Sequence, residues 1–101
     1  MSVQASRTRR RNEAILWVHG RLGRPTFTTH EMWELGRSML NETWPPYTKS
    51  AWRRMARVDI LGQALTKHPA FERDTTGDRD GLVDLHRRGE RTRSYTWRLR
   101  E

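Results

Sequence analysis

The stretch Thr48-Lys-Ser-Ala-Trp-Arg-Arg-Met-Ala-Arg-Val58 carries the strongest pattern in the chain. Advancing about 100° per residue puts Lys49, Ser50, Arg53, Arg54 and Arg57 on one arc about 140° wide. Ala51, Met55 and Val58 fall on the opposite side. No Asp or Glu occurs from 49 to 58, although a merely solvated helix face tends to carry acids for i, i+4 pairing. The spacing predicts a helix over 48–58 with Thr48 as N-cap. Its apolar side suits a core, and its cationic side suits the major groove of duplex DNA. An ordinary amphipathic surface helix is the competing reading.

Before it, Asn41–Tyr47 contains Pro45 and Pro46 and cannot be helical throughout. Further back, Phe27-Thr-Thr-His-Glu-Met32 has the form of a capping box, in which a Thr hydroxyl accepts from the N3 amide and Glu31 reaches back to the cap amide. Phe27 and Met32 have the spacing of a hydrophobic staple. This predicts a helix over about 29–40, entered from an extended Pro25–Thr28. Ala14, Ile15, Val18 and Leu22 mark a first helix over about 13–22, capped by Asn12 and stopped by Gly23 and Pro25. Residues 1–11 have no apolar period and read as a flexible basic arm. Its Arg7, Arg9, Arg10 and Arg11 are candidates to hold phosphates or enter a minor groove, with a solubilising tail as the alternative.

After Val58 the apolar phase slips, so either the helix bends near Asp59 or a new one begins there; the preferred reading is a fourth helix over about 59–67 with Asp59 as cap. From residue 70 the period is two. Strands are expected over 70–74, 82–87 and 91–99, with a polar loop at 75–81 and a turn at Arg88-Gly89-Glu90. Tyr95, Trp97 and Leu99 should face the core. Arg87, Arg88, Arg91 and Arg93 then form a basic hairpin tip.

The order of elements, with the Phe27–Glu31 entry, the Thr48–Val58 basic helix and the Phe71…Arg88-Gly89…Tyr95-Thr-Trp97 hairpin, resembles the winged helix-turn-helix family of DNA-binding domains. The resemblance implies an α+β fold of three to four helices followed by a β-hairpin wing, occupying residues 12–101. It also implies groove and phosphate contacts at Lys49, Ser50, Arg53, Arg54 and Arg57, and wing contacts at Arg87, Arg88, Arg91 and Arg93. The start of the second helix, Thr29 and His30, would offer amides to a phosphate. Two departures stand out: the 41–47 connection exceeds a tight helix-turn-helix turn, and the 74–81 loop lengthens the wing.

Composition agrees with a polyanion partner. The chain has 101 residues, 20 Lys+Arg against 12 Asp+Glu, a net charge of +8 and a pI of about 11.3. The charge is blocked: +5 over 1–24, −2 over 25–46, +4 over 47–69, −3 over 70–86 and +4 over 87–101. Three basic blocks suggest three contacts with one polyanion. Arg outnumbers Lys 18 to 2, which fits bidentate phosphate and guanine recognition and equally fits GC-rich codon usage. Leu, Ile, Val and Phe supply only 17 residues, but five Trp, four Met and two Tyr compensate. A chain this short holds one domain.

Other chemistry is poorly supported. The chain lacks cysteine. His19, His30, His68 and His86 lack zinc-ligand spacing. Asp78, Asp80 and Gly81 fit an EF-hand loop only until Arg87 takes the place of the bidentate Glu. No nucleotide-binding or nucleophile motif occurs. With no apolar run of membrane length and no signal-peptide pattern, the expectation is a cytoplasmic, nucleoid-associated DNA-binding protein. It would be a small transcriptional regulator or a phage or mobile-element accessory factor, not an enzyme, without cofactor or metal, and a monomer or homodimer. The alternatives are a protein-interaction module, with Trp44–Tyr47 as contact if that segment does not simply pack over the core, and a structured-RNA binder.

Overall fold

The computed structural model describes residues 3–75, 82–87 and 90–100, and the side chains at 6–75 and 94–100. The fold is α+β. In chain order the elements are α1 (Val3–Leu22), β1 (Thr26–Thr28), α2 (Thr29–Ser38), α3 (Thr48–Arg54), α4 (Val58–Lys67), β2 (Phe71–Arg73), β3 (Leu82–Arg87) and β4 (Glu90–Leu99).

β4 organises the sheet, which is antiparallel throughout. Its C-terminal part lies between β1 and β2, with Phe27 opposite Trp97 and Phe71 opposite Leu99. Its first half pairs with β3, from Leu82 opposite Tyr95 to Arg87 opposite Glu90. The 76–81 loop and residues 88–89 of the expected turn lie outside the described residues.

α2 starts as its sequence dictates. Thr28 is extended and accepts from the Glu31 amide, while the Glu31 carboxylate accepts from the Thr28 amide at 2.9 Å. Arg24 pairs with the same carboxylate. The helix ends at Ser38, two residues earlier than its apolar spacing suggests.

The core is aromatic, as the low aliphatic count requires. Phe27 and Phe71 meet edge to face at 5.5 Å beneath the sheet. Trp44 packs between Trp17, at 4.3 Å, and Trp52, at 5.9 Å, with its ring tilted by 41° and 45° to theirs. Ile15, Val18, Met32, Leu61 and Leu65 fill the space between helices and sheet.

Four local expectations are corrected. Helix α1 begins at Val3 and not at Asn12, so residues 3–11 are helical and not a flexible arm. No Gly or Pro interrupts residues 1–19 and Arg, Gln and Ala are good helix formers, so propensity carries the helix where the apolar period is missing. The expected 48–58 helix is two elements with a break at 55–57. The Met55 amide donates to Trp52 O, and the freed Met55 carbonyl accepts from Trp33 Nε1. The caps also move by one or two residues. Tyr47, at φ 69°, is the N-cap of α3, and Arg57 that of α4, with Asp59 in its first turn. In β4, Trp97 is buried but Tyr95 and Leu99 are 37% and 39% exposed. The alternation breaks because Ser94, of opposite parity, is buried beneath the start of α2, where its Oγ accepts from the His30 amide.

Candidate nucleic-acid interface

Because α1 is helical through residue 11, two of the basic blocks merge. The N-terminal half of α1 packs along α3, and Arg7 and Arg11 converge with Arg54 on one groove of about 300 Å³. Thr8 adds a hydroxyl, while Ala51, Met55 and Ile60 form the apolar wall. Among the described residues, no carboxylate lines it. Arg10 lies over the ring of Tyr47, 4.3 Å from its centroid, and so ties the same stretch of α1 to the entry of α3.

Tyr47 is strained. Left-handed backbone is uncommon for a bulky residue, yet it holds here because the Tyr47 carbonyl accepts from the Ser50 hydroxyl at 3.1 Å and the Ala51 amide at 3.3 Å. The result is an aromatic ring 65% exposed at the rim of the basic surface. The groove was not visible in the sequence, since it arises from contacts between α1 and α3.

The residues of the 48–58 arc separate. Arg53 and Arg54 are exposed on α3, with no ion pair among the described residues. Lys49 is half-buried, and Ser50 spends its hydroxyl on Tyr47. Arg57 leaves the arc entirely. It sits in the break and pairs with Asp59 at 3.3 Å. Arg9 is exposed on α1 but does not line the groove.

Thr29 and His30 serve the fold. The His30 amide donates to Ser94 Oγ at 3.3 Å and the Glu31 amide to Thr28 Oγ1 at 3.2 Å, so these amides of the α2 start are spent. Thr29 Oγ1 accepts from Trp97 Nε1 at 2.7 Å. Of the two amides expected to meet a phosphate, that of His30 is therefore engaged within the fold. Arg87, Arg91 and Arg93 lie on β3 and β4, but their side chains, and all of Arg88, fall outside the described residues.

α4 separates the basic groove from a second cleft. Ile60 faces the groove, whereas Asp59, Gly62, Gln63 and Thr66 line a cleft of about 360 Å³ shared with Thr29, Ser94 and Tyr95. Trp44 packs into the core, its Nε1 donating to Met39 O at 2.8 Å. Only Pro45, Pro46 and Tyr47 of the 44–47 segment remain exposed.

Among the described residues, His68 is the one group whose acidity is clearly displaced. Burial lowers its pKa and nearby Arg11 lowers it further, against a raising effect of its hydrogen bond to Asn12. Its Nδ1 accepts from the Ala70 amide at 3.0 Å, which leaves the proton on Nε2, 3.1 Å from Asn12 O. Among the described residues, no cluster of His, Asp and Glu could hold a metal, and no helix is long and apolar enough to cross a membrane.

Compared with protein-family models, characterised proteins and solved structures, the chain matches none.

Proposed function

We propose that this chain is a winged helix-turn-helix domain that binds double-stranded DNA, as a small regulator or accessory factor. The observation that carries the reading is the convergence of Arg7, Arg10, Arg11 and Arg54 along the α1–α3 seam, with no carboxylate among the described residues lining its groove. Such a seam concentrates guanidinium groups where they can meet the phosphate backbone. The element order supports the winged type: a hairpin follows the last helix, and its long strand runs between β1 and β2.

Within this reading α3 is a backbone-contacting element. Seven residues rise only about 10 Å, and α1 flanks them. α4 is the better candidate for base contact. Its Gln63 and Thr66 are exposed and uncharged, with the groove on one side and the hairpin strand on the other. Gln is suited to bidentate contact with adenine. The nearby carboxylate of Asp59 is offset by Arg57.

The test is fluorescence anisotropy with duplex DNA, duplex RNA and a single strand of equal length, at salt from about 50 to 200 mM. The reading requires duplex DNA to bind best, with affinity falling by orders of magnitude across that range. Preference for RNA would favour the structured-RNA alternative. No nucleic-acid binding at low salt would leave a protein partner.

A further inference from the structure

We infer that the α1–α3 groove is a built site for one phosphate group, gripped by Arg7, Arg11 and Arg54. This deepens the duplex-binding reading and rests on it for the source of the phosphate, since the groove itself would accept any phosphoryl or pyrophosphoryl group.

Four features carry it. Arg7 and Arg11 are i, i+4 on α1, where like charges repel and destabilise a helix. Arg54 brings a third cation to the same space from the end of α3, yet among the described residues no carboxylate lines the groove to relieve them. An anion supplied from outside would do so.

The guanidinium donors are also not spent among the described residues. Arg11 Nε is buried without a hydrogen-bond partner among the described residues, and its Nη2 has only a long 3.5 Å contact to Asn12 Oδ1. Buried donors are normally satisfied, so an orphan guanidinium nitrogen at a cationic groove points to a missing acceptor. Arg7 and Arg54 are exposed and make no ion pair among the described residues.

The walls strengthen the attraction. Ala51, Met55 and Ile60 contribute apolar surface beside the cations, and low-dielectric walls focus a field. The space, about 300 Å³, is at the small end for ligand pockets, which fits a phosphate or pyrophosphate rather than a large organic molecule. Three guanidinium groups can supply bidentate contacts to the oxygens.

Arg53 offers an internal control. It is adjacent to Arg54 and equally cationic, but it lines a different space, between Trp33 and Trp52. The experiment is titration calorimetry of inorganic pyrophosphate into the full chain at low salt, on the parent, R54Q, R53Q and R11K, with thermal melts to establish that each variant folds. The site requires R54Q to weaken pyrophosphate about tenfold or more, the scale of a lost charge-assisted contact. R53Q should change it by less than about twofold, the remainder expected from screened long-range charge. R11K keeps the charge but loses the fork and should also weaken it. Equal losses for R54Q and R53Q, or no pyrophosphate binding by the folded parent, overturn the site and leave duplex binding standing if anisotropy detects it. Pyrophosphate binding with the R54Q–R53Q contrast but no duplex binding retains the site, for a free phosphorylated ligand, and overturns the duplex reading.

Discussion

Gly36 lies directly against the indole of Trp52: a Cβ built on Gly36 would overlap Cε2, Cζ2 and Nε1 of the ring. Glycine inside a helix costs about 0.5–1 kcal/mol relative to alanine, so its use in α2 is explained by the close approach. Trp52 is 1% exposed and is the largest side chain joining α3 to the core, so this contact sets how far α3 stands from α2. Gly36→Ala should destabilise the domain by about 1–3 kcal/mol through overpacking, read as a lower midpoint in thermal or urea unfolding. The same change made beside Trp52→Phe should cost much less, because the smaller ring gives way. An equal cost in both backgrounds would disprove the contact.

Thr29 Oγ1 is the only partner of the buried Trp97 indole N–H among the described residues. Thr29→Val keeps the shape and removes the acceptor, which leaves that donor unsatisfied at a cost of about 1–3 kcal/mol. The expected outcome is a lower unfolding midpoint, with duplex affinity unchanged under conditions where the variant is folded. Selective loss of DNA affinity in a fully stable Thr29→Val protein would restore Thr29 as a nucleic-acid contact.

His68 makes stability sensitive to acid. Its folded pKa lies below the ordinary histidine value of about 6.5, so between the two values the unfolded chain binds a proton that the folded chain does not. Stability then rises with pH in that window. It should be complete above about 6.5 and fall as the pH drops through the folded pKa, where protonation of Nδ1 would set an N–H against the Ala70 amide. His68→Asn should flatten the dependence of melting temperature between about pH 5 and 7. A slope identical to the parent would remove His68 as the cause.

What could be read from the chain was local. The capping box at Thr28–Glu31 needs only four residues, and the period-two run of residue types over 91–99 marks β4 as a strand, although burial departs from that period at Ser94, Tyr95 and Leu99. The phase slip after Val58 correctly warned of a new helix, but the break itself depends on Trp33 reaching 22 positions along the chain to the Met55 carbonyl. The helical state of residues 3–11 was hidden for a related reason. That stretch meets the rest of the protein through arginine side chains, Arg10 on Tyr47 and Arg7 and Arg11 beside Arg54, so it carries no apolar stripe. The basic groove follows from that packing and could not be inferred while residues 1–11 were read as an arm.

Backbone and base contacts should separate between α3 and α4. Arg54→Ala and Arg7→Ala remove phosphate-facing cations, so each should weaken all duplexes alike and reduce the slope of log affinity against log salt by about one unit. Gln63→Ala removes no charge. It should leave the slope unchanged and relax sequence preference by about 1–3 kcal/mol at one base pair, measured by binding-site selection from random duplexes at fixed salt. The reverse pattern, with Arg53 or Arg54 controlling selectivity and Gln63 silent, would return the reading role to α3. That outcome would require the seven-residue helix to reach base edges past the flanking α1, which duplex DNA permits only if α1 moves away from α3. Loss of the Arg10–Tyr47 contact on binding, followed by hydrogen exchange across residues 6–12, would report that movement.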